Sequence, residues 1–153
     1  MDYLIRLEQL EAQPLAVVRR RATLKDLPKV VPAACGLVWS ALRAHPDSKP
    51  GRHVSLYLDT VINLEVGVEV AAPFAESGEV VGSATPSGLI AATTHFGPYQ
   101  QLHGAHEALR LWCTQNGYER AGPFWEVYGH WKDEWNNDPA LIRTDVFYLL
   151  CQK

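Results

Sequence analysis

Apolar residues recur along this chain in two rhythms, and their alternation predicts the architecture. Leu15 to Ala22 has the apolar content of a strand, with Arg19-Arg20-Arg21 as its solvated end. From Val31 to His45 the period is helical: Ala34, Val38, Ala41 and Leu42 share one stripe. Pro32 falls in the first turn of that helix, where a missing N–H does no harm, and His45-Pro46-Asp47 ends it. After the Ser48-Lys49-Pro50-Gly51 loop the period becomes two. Val54 to Asp59 is one strand and Ile62 to Val70 the next. In the second, Ile62, Leu64, Val66, Val68 and Val70 face one way and Asn63, Glu65, Gly67 and Glu69 the other, which predicts a half-buried antiparallel strand. Pro73 and the Glu76-Ser77-Gly78-Glu79 turn close this stretch.

The same order then returns. Gly88 to His95 is a strand, and Gly97-Pro98 opens a helix that runs to Cys113 or Thr114. Leu102, Ala105, Leu109, Trp112 and Cys113 form its apolar stripe, and Asn116-Gly117 caps its end. Phe124 to Trp131 and Thr144 to Leu150 are the last two strands. The pattern predicts an α+β fold, a pseudo-twofold duplication of a β-α-β-β unit in a single domain over residues 1–153. The repeat halves run over about 14–80 and about 86–151. Neither half makes a stable sheet alone, so the two should join edge to edge as one antiparallel sheet with helices on one face. The seam is the natural place for a ligand groove.

Composition narrows the function classes. The chain has 153 residues, 47% of them apolar, enough for one domain with a sizeable core. A net charge of -3 carries no nucleic-acid footprint. Cys35, Cys113 and Cys151 are odd in number and scattered, which implies no disulfide framework and fits a cytoplasmic location. The N-terminal segment from Met1 to Arg6 lacks the pattern of a signal peptide, and no apolar run suits a membrane helix.

The chemistry concentrates in Gly122-Pro123-Phe124-Trp125-Glu126-Val127-Tyr128. On a strand, Phe124, Glu126 and Tyr128 share one face, with Trp125 and Val127 on the other. A carboxylate buried among rings needs a counter-charge or a proton. An aromatic-walled pocket with one acid at its base attracts an apolar cation. The structural alternative pairs Glu126 with Arg143 or Arg120. Three histidines, His95, His103 and His106, raise the question of a metal. His103 and His106 are three residues apart, whereas the zinc-peptidase helix needs a spacing of four and a third ligand, so neither a metal nor a cofactor is expected.

His95-Phe96-Gly97-Pro98-Tyr99, then Gly117-Tyr118, then Gly122 to Tyr128, then Arg143-Thr144-Asp145, resemble the GyrI-like small-molecule-binding domain, as Leu64 to Val70 does in the first half. That domain is the effector-binding part of some multidrug-responsive transcription activators. The resemblance covers about Leu15 to Leu150. It implies two β-α-β-β units around a ligand groove, with the characteristic acid at Glu126 and lipophilic, often cationic, aromatic ligands. Some members resemble hydrolases that open a strained cyclopropane ring in DNA-alkylating natural products. Only about a dozen residues precede the first expected strand, too few for a recognition domain, so direct DNA binding is not expected.

The expected ligand-binding set is Glu126, Phe124, Tyr128, Tyr57, Trp39, Tyr99 and Glu65. Tyr57 lines the other wall by the internal symmetry, and Trp39 is offset from the stripe of its helix. Glu65 or Glu69 adds negative potential from the mirror strand, with a solvated strand face as the alternative. Trp131 and Trp135 fold over the core or the mouth of the groove. Two functions follow: a stand-alone binding protein that senses or sequesters drugs or toxins, or a hydrolase. In the hydrolase Glu126 activates a water and Tyr99 or Tyr128 donates to the developing oxyanion. A subunit that partners a separate regulator is the third reading.

Overall fold

Eight strands make one antiparallel sheet whose order is its own mirror image. The computed structural model describes residues 3–23, 25–59 and 63–151. In chain order the elements are β1 (Arg6–Leu10), β2 (Pro14–Arg21), α1 (Leu27–Arg43), β3 (His53–Tyr57), β4 (Asn63–Glu69), β5 (Val80–Ala84), β6 (Gly88–Phe96), α2 (His103–Gln115), β7 (Arg120–Tyr128), α3 (Glu134–Asn137) and β8 (Arg143–Leu150). The sheet runs β1-β6-β8-β7-β3-β4-β2-β5. Exchanging β1 to β4 with β5 to β8 reverses this order and leaves the sheet unchanged. The predicted α+β duplication is therefore present, joined at the centre where β3 pairs with β7.

Each half carries one strand that the periodicity does not mark. β1 reads Arg-Leu-Glu-Gln-Leu and β5 Val-Val-Gly-Ser-Ala, and neither alternates cleanly. They are also exchanged. β1 leads the first half but pairs with β6, while β5 leads the second half but pairs with β2. Ile62, Met1 and Asp2 lie outside the described residues.

Helix α1 begins at Leu27, earlier than expected, with a proline in its first turn and Pro32 in its interior. A second proline near the N-terminus is tolerated because the N–H groups of the opening turns lack intrahelical partners. The stripe is as predicted: Ala34, Val38 and Leu42 are buried against Ala16, Val18, Val66 and Val68. Helix α2 starts at His103, after a 3-10 turn over Tyr99–Gln101, and packs Ala105, Leu109 and Cys113 on Ala91, Val146 and Tyr148. It closes where the Tyr118 N–H donates to the Cys113 carbonyl at 2.9 Å. The register places Ala16, Val66, Val146 and Ala91 on one sheet face, so both helices cover the same side.

The other face overturns the expectation of a half-wet sheet. Among the described residues no helix covers it, yet Leu15, Val17, Val54 and Ile90 are at most 1% exposed. The sheet must therefore curl around its own inner face. Trp125 and Phe147 stack there with centroids 5.2 Å apart. Each such apolar side chain contributes roughly 1.5–3 kcal/mol on burial. Glu65, expected on a solvated face or in the groove, is buried on this inner face. Its carboxylate accepts from Arg19 Nε at 2.8 Å and from the Ser83 hydroxyl. Arg52 ties the halves together at one end, bridging Glu69 of β4 and Asp145 of β8.

Candidate functional site

The seam between the halves forms the floor of a cavity of about 940 Å³. His53, Ser55 and Tyr57 of β3 lie beside Tyr128, Glu126 and Phe124 of β7 in register. Helix α1 supplies one wall through Leu27, Val31, Cys35 and Trp39. The turn before α2 supplies the other through Tyr99, Gln100 and Leu102. Trp131, 53% exposed, stands at the mouth and meets the buried Trp135 edge-on at 5.3 Å. The two tryptophans thus divide the expected roles, Trp131 at the groove and Trp135 in the interior.

Glu126 is 7% exposed and lines this cavity. It pairs with neither Arg143 nor Arg120: Arg143 reaches Asp145, and Arg120 sits over the Tyr148 ring. One carboxylate oxygen accepts from the Tyr128 hydroxyl at 2.5 Å and the other meets His106 Nε2 at 2.6 Å. His106 Nδ1 contacts the Tyr148 hydroxyl at 2.6 Å, and that oxygen accepts from Arg110 at 3.3 Å. With Arg110 donating to Tyr148, the phenol can donate to Nδ1, and Nε2 then donates to Glu126. Glu126 is thus held by two hydrogen-bonding contacts, one to each carboxylate oxygen. Among the described cavity-lining residues Glu126 is the one carboxylate, and none is Lys or Arg.

His106 is the residue that sequence reasoning missed, having been weighed only as a metal ligand. It stands four residues after Leu102 and three before Leu109, inside the apolar stripe of α2. A polar residue at a stripe position asks for a buried partner, and that was the available signal. Among the described residues no group of three or more His, Cys, Asp or Glu is placed to hold a metal ion.

The rings divide into two sets. Tyr57, Tyr128, Tyr99 and Trp39 line the cavity. Phe124 does not. It is sandwiched between Tyr57 at 4.8 Å and Tyr148 at 5.0 Å, so it spaces the ladder of rings below the cavity. Burial and then the charge of Glu126 push the Tyr57 and Tyr128 phenols well up, and burial alone pushes up Tyr99, so all three stay protonated at neutral pH. Tyr99 meets Tyr128 edge-on at 5.7 Å. Its position is fixed from below by the fully buried His95, which bonds the Tyr3 hydroxyl at 2.8 Å and the Pro98 carbonyl at 3.2 Å. Gly97 allows this turn with φ 138°, a conformation a side chain would oppose.

On the α1 side, Trp39 Nε1 donates to His53 Nε2 at 2.9 Å. Burial, and then the nearby His130, hold His53 below its ordinary 6.5. Above that value His53 is neutral in both the folded and unfolded states. As pH falls below it the unfolded chain takes up the proton first, so stability drops. Protonation also removes the lone pair that accepts from Trp39. Denaturant midpoints should therefore fall between about pH 7.5 and about pH 5.5 more steeply in the wild type than in His53→Gln, whose amide oxygen can still accept. Equal slopes would show that His53 does not contribute.

The GyrI-like small-molecule-binding domain matches residues 4–149 of the chain. No curated protein sequence matches it. Among solved structures, the EcmrR C-terminal domain is similar over 100% of both chains, with a TM-score of 0.82 and 20% identity. Against EcmrR in a DNA complex, the chain spans 58% of the EcmrR chain. SAV2435 bound to tetraphenylphosphonium gives a TM-score of 0.68 at 11% identity, covering 99% of this chain and 94% of that one. A hydrolase from Listeria innocua gives 0.63 at 9% identity, covering 96% and 91%. At these identities the likeness is one of fold.

Proposed function

Because the chain belongs to the GyrI-like small-molecule-binding domain family, we propose that its cavity takes lipophilic aromatic cations, with Glu126 as the counter-charge. On this reading the protein senses or sequesters drugs or toxins. The observation that carries it is the lone carboxylate: Glu126 faces an aromatic cavity whose described lining residues include no Lys or Arg. Tyr57, Tyr99, Tyr128 and Trp39 offer ring faces or edges around it. Each ring that meets a cation face-on adds about 0.5–2 kcal/mol. SAV2435, of the same fold, is bound to tetraphenylphosphonium, itself a lipophilic aromatic cation. The test is a titration of fluorescent aromatic cations alongside uncharged counterparts of the same shape. Cations should bind well below about 1 mM and more tightly than the neutral probes. Failure of every cation to bind at that level ends the reading.

Hydrolysis of a cyclopropane-bearing electrophile is the second reading, favoured by the 2.6 Å contact that gives Glu126 a proton partner in His106. The geometry supports it less well. Tyr128 donates its hydrogen to Glu126, which of the two expected donors leaves Tyr99, and both carboxylate oxygens are already engaged. Mass spectrometry after incubation with such an alkylator decides it, through the gain of one water over the protein-free blank.

A further inference from the structure

His106 reaches Glu126 from outside the cavity. Among the described residues Glu126 lines the space and His106 does not, yet Nε2 meets the carboxylate at 2.6 Å. The imidazole therefore acts on a ligand through the acid. Its surroundings can house either charge state. The Tyr148 hydroxyl, 2.6 Å from Nδ1, can donate to a neutral ring or accept from a protonated one. The charged groups facing His106 pull in opposite directions. Glu126 of β7 favours a protonated ring. Arg110, 3.3 Å from the Tyr148 oxygen, and Arg120, over the Tyr148 ring, oppose one. The rings of Phe124 and Tyr148 stand edge-on to the imidazole at 5.6 Å and carry no charge, burial pushing the Tyr148 phenol up. On its own helix His103 and Glu107 are exposed. A ligand cation at Glu126 would add its charge to the opposing side.

We propose that His106 is a positioning residue through which ligand and proton exclude one another: the cavity takes up a lipophilic cation as the His106–Glu126 pair gives up a proton. The inference rests on the cation-binding reading of the same cavity. In acid the ring is an imidazolium, and Glu126 already has its counter-charge. Tyr128 donates to the other carboxylate oxygen and so favours the ionised acid, which keeps the added proton on the ring. An arriving cation repels that imidazolium. The proton on Nδ1 passes to bulk water, the Tyr148 hydrogen turns to Nδ1 in its place, and Nε2–H stays on Glu126. The carboxylate then faces the ligand with its full charge. Linkage is reciprocal, so a cation that expels a proton is itself expelled by acid. A neutral ligand of the same shape interacts alike with both charge states and shifts neither.

The experiment titrates the full chain with a permanently charged probe, a fluorescent aromatic quaternary ammonium, and with its uncharged isostere. The two conditions are about pH 8 and about pH 5.5, which span the range where histidine changes charge. The wild type should bind the cation about tenfold more weakly at the lower pH and the neutral probe equally at both. Calorimetry at about pH 6.5, in two buffers of different ionisation enthalpy, should show protons released with the cation and none with the neutral probe. His106→Gln, whose amide can still donate to Glu126, should flatten the pH profile of the cation and abolish the release. Should that variant not fold, the His106 ring resonances of the wild type decide, because they must move to the neutral form as the cation saturates the site. Resonances that stay put overturn the inference. A wild type that binds the cation equally at both pH values, without releasing protons, overturns it and leaves the cation reading standing. A profile and a release that survive in His106→Gln belong to another group and also overturn it. If the cation binds at neither pH, both readings fall together.

Discussion

Glutamine in place of Glu126 is expected to weaken binding of a monocationic aromatic probe by about 10- to 100-fold and to change a neutral probe of the same shape by less than about twofold. The substitution keeps the volume and one acceptor oxygen and removes the charge. At about 4 Å and an effective dielectric constant near 20, a full charge pair is worth roughly 4 kcal/mol. The cavity opens to solvent and the ligand loses hydration, so about 1.5–3 kcal/mol is the portion that reaches the affinity. The Tyr128 phenol that holds Glu126 carries no charge and does not cancel this effect. Calorimetric titration of both probes against wild type and Glu126→Gln provides the check. A cation affinity that survives the change would remove Glu126 as the counter-charge and leave the rings as the attraction.

A methyl group at Gly67 is expected to abolish the native fold. Gly67 lies in β4 opposite Val17 of β2. A Cβ added there would stand 1.8 Å from the Ala16 carbonyl oxygen and 2.8 Å from Val17 Cα. These are backbone atoms of a central ladder, so no rotamer change relieves the clash. Relief requires β2 and β4 to part, which opens the core under α1 and the curled inner face together. The cost should exceed about 4 kcal/mol, comparable to the whole stability of many domains of this size. Circular dichroism and urea denaturation of Gly67→Ala would read this as loss of the cooperative transition. A native-like melt would show that the strands can part at little cost.

The contrast between these two sites explains what was legible in the sequence. Glu126 could be found because period two assigns a side chain to a face, and an acid between Phe124 and Tyr128 is conspicuous there. Six of the strands were legible for the same reason, and helices α1 and α2 through their helical period, whereas the short α3 was not expected. β1 and β5 were not, because an edge strand pairs on one side and needs little apolar alternation. Glu65 was misplaced because alternation reveals that two faces differ but not that the sheet curls over the more polar one. That curl is a tertiary property of strands far apart in the chain. Phe124 shared the correct face but is shielded by Tyr57 and Tyr148, a packing outcome that spacing does not encode.

The exchanged edge strands bear on how the chain is made. β1 is synthesised well before its partner β6, with Thr93 of β6 bonding the Leu4 carbonyl across 89 positions of sequence. β2 gains its flank from β5 only after α1, β3 and β4 have been synthesised. Neither half can complete its own edges during synthesis, so folding must await most of the polypeptide, and the nascent first half emerges with unpaired strand edges. A ribosome stalled before residue 88 should therefore display a segment that chaperones hold and proteases cut, whereas the finished domain resists both.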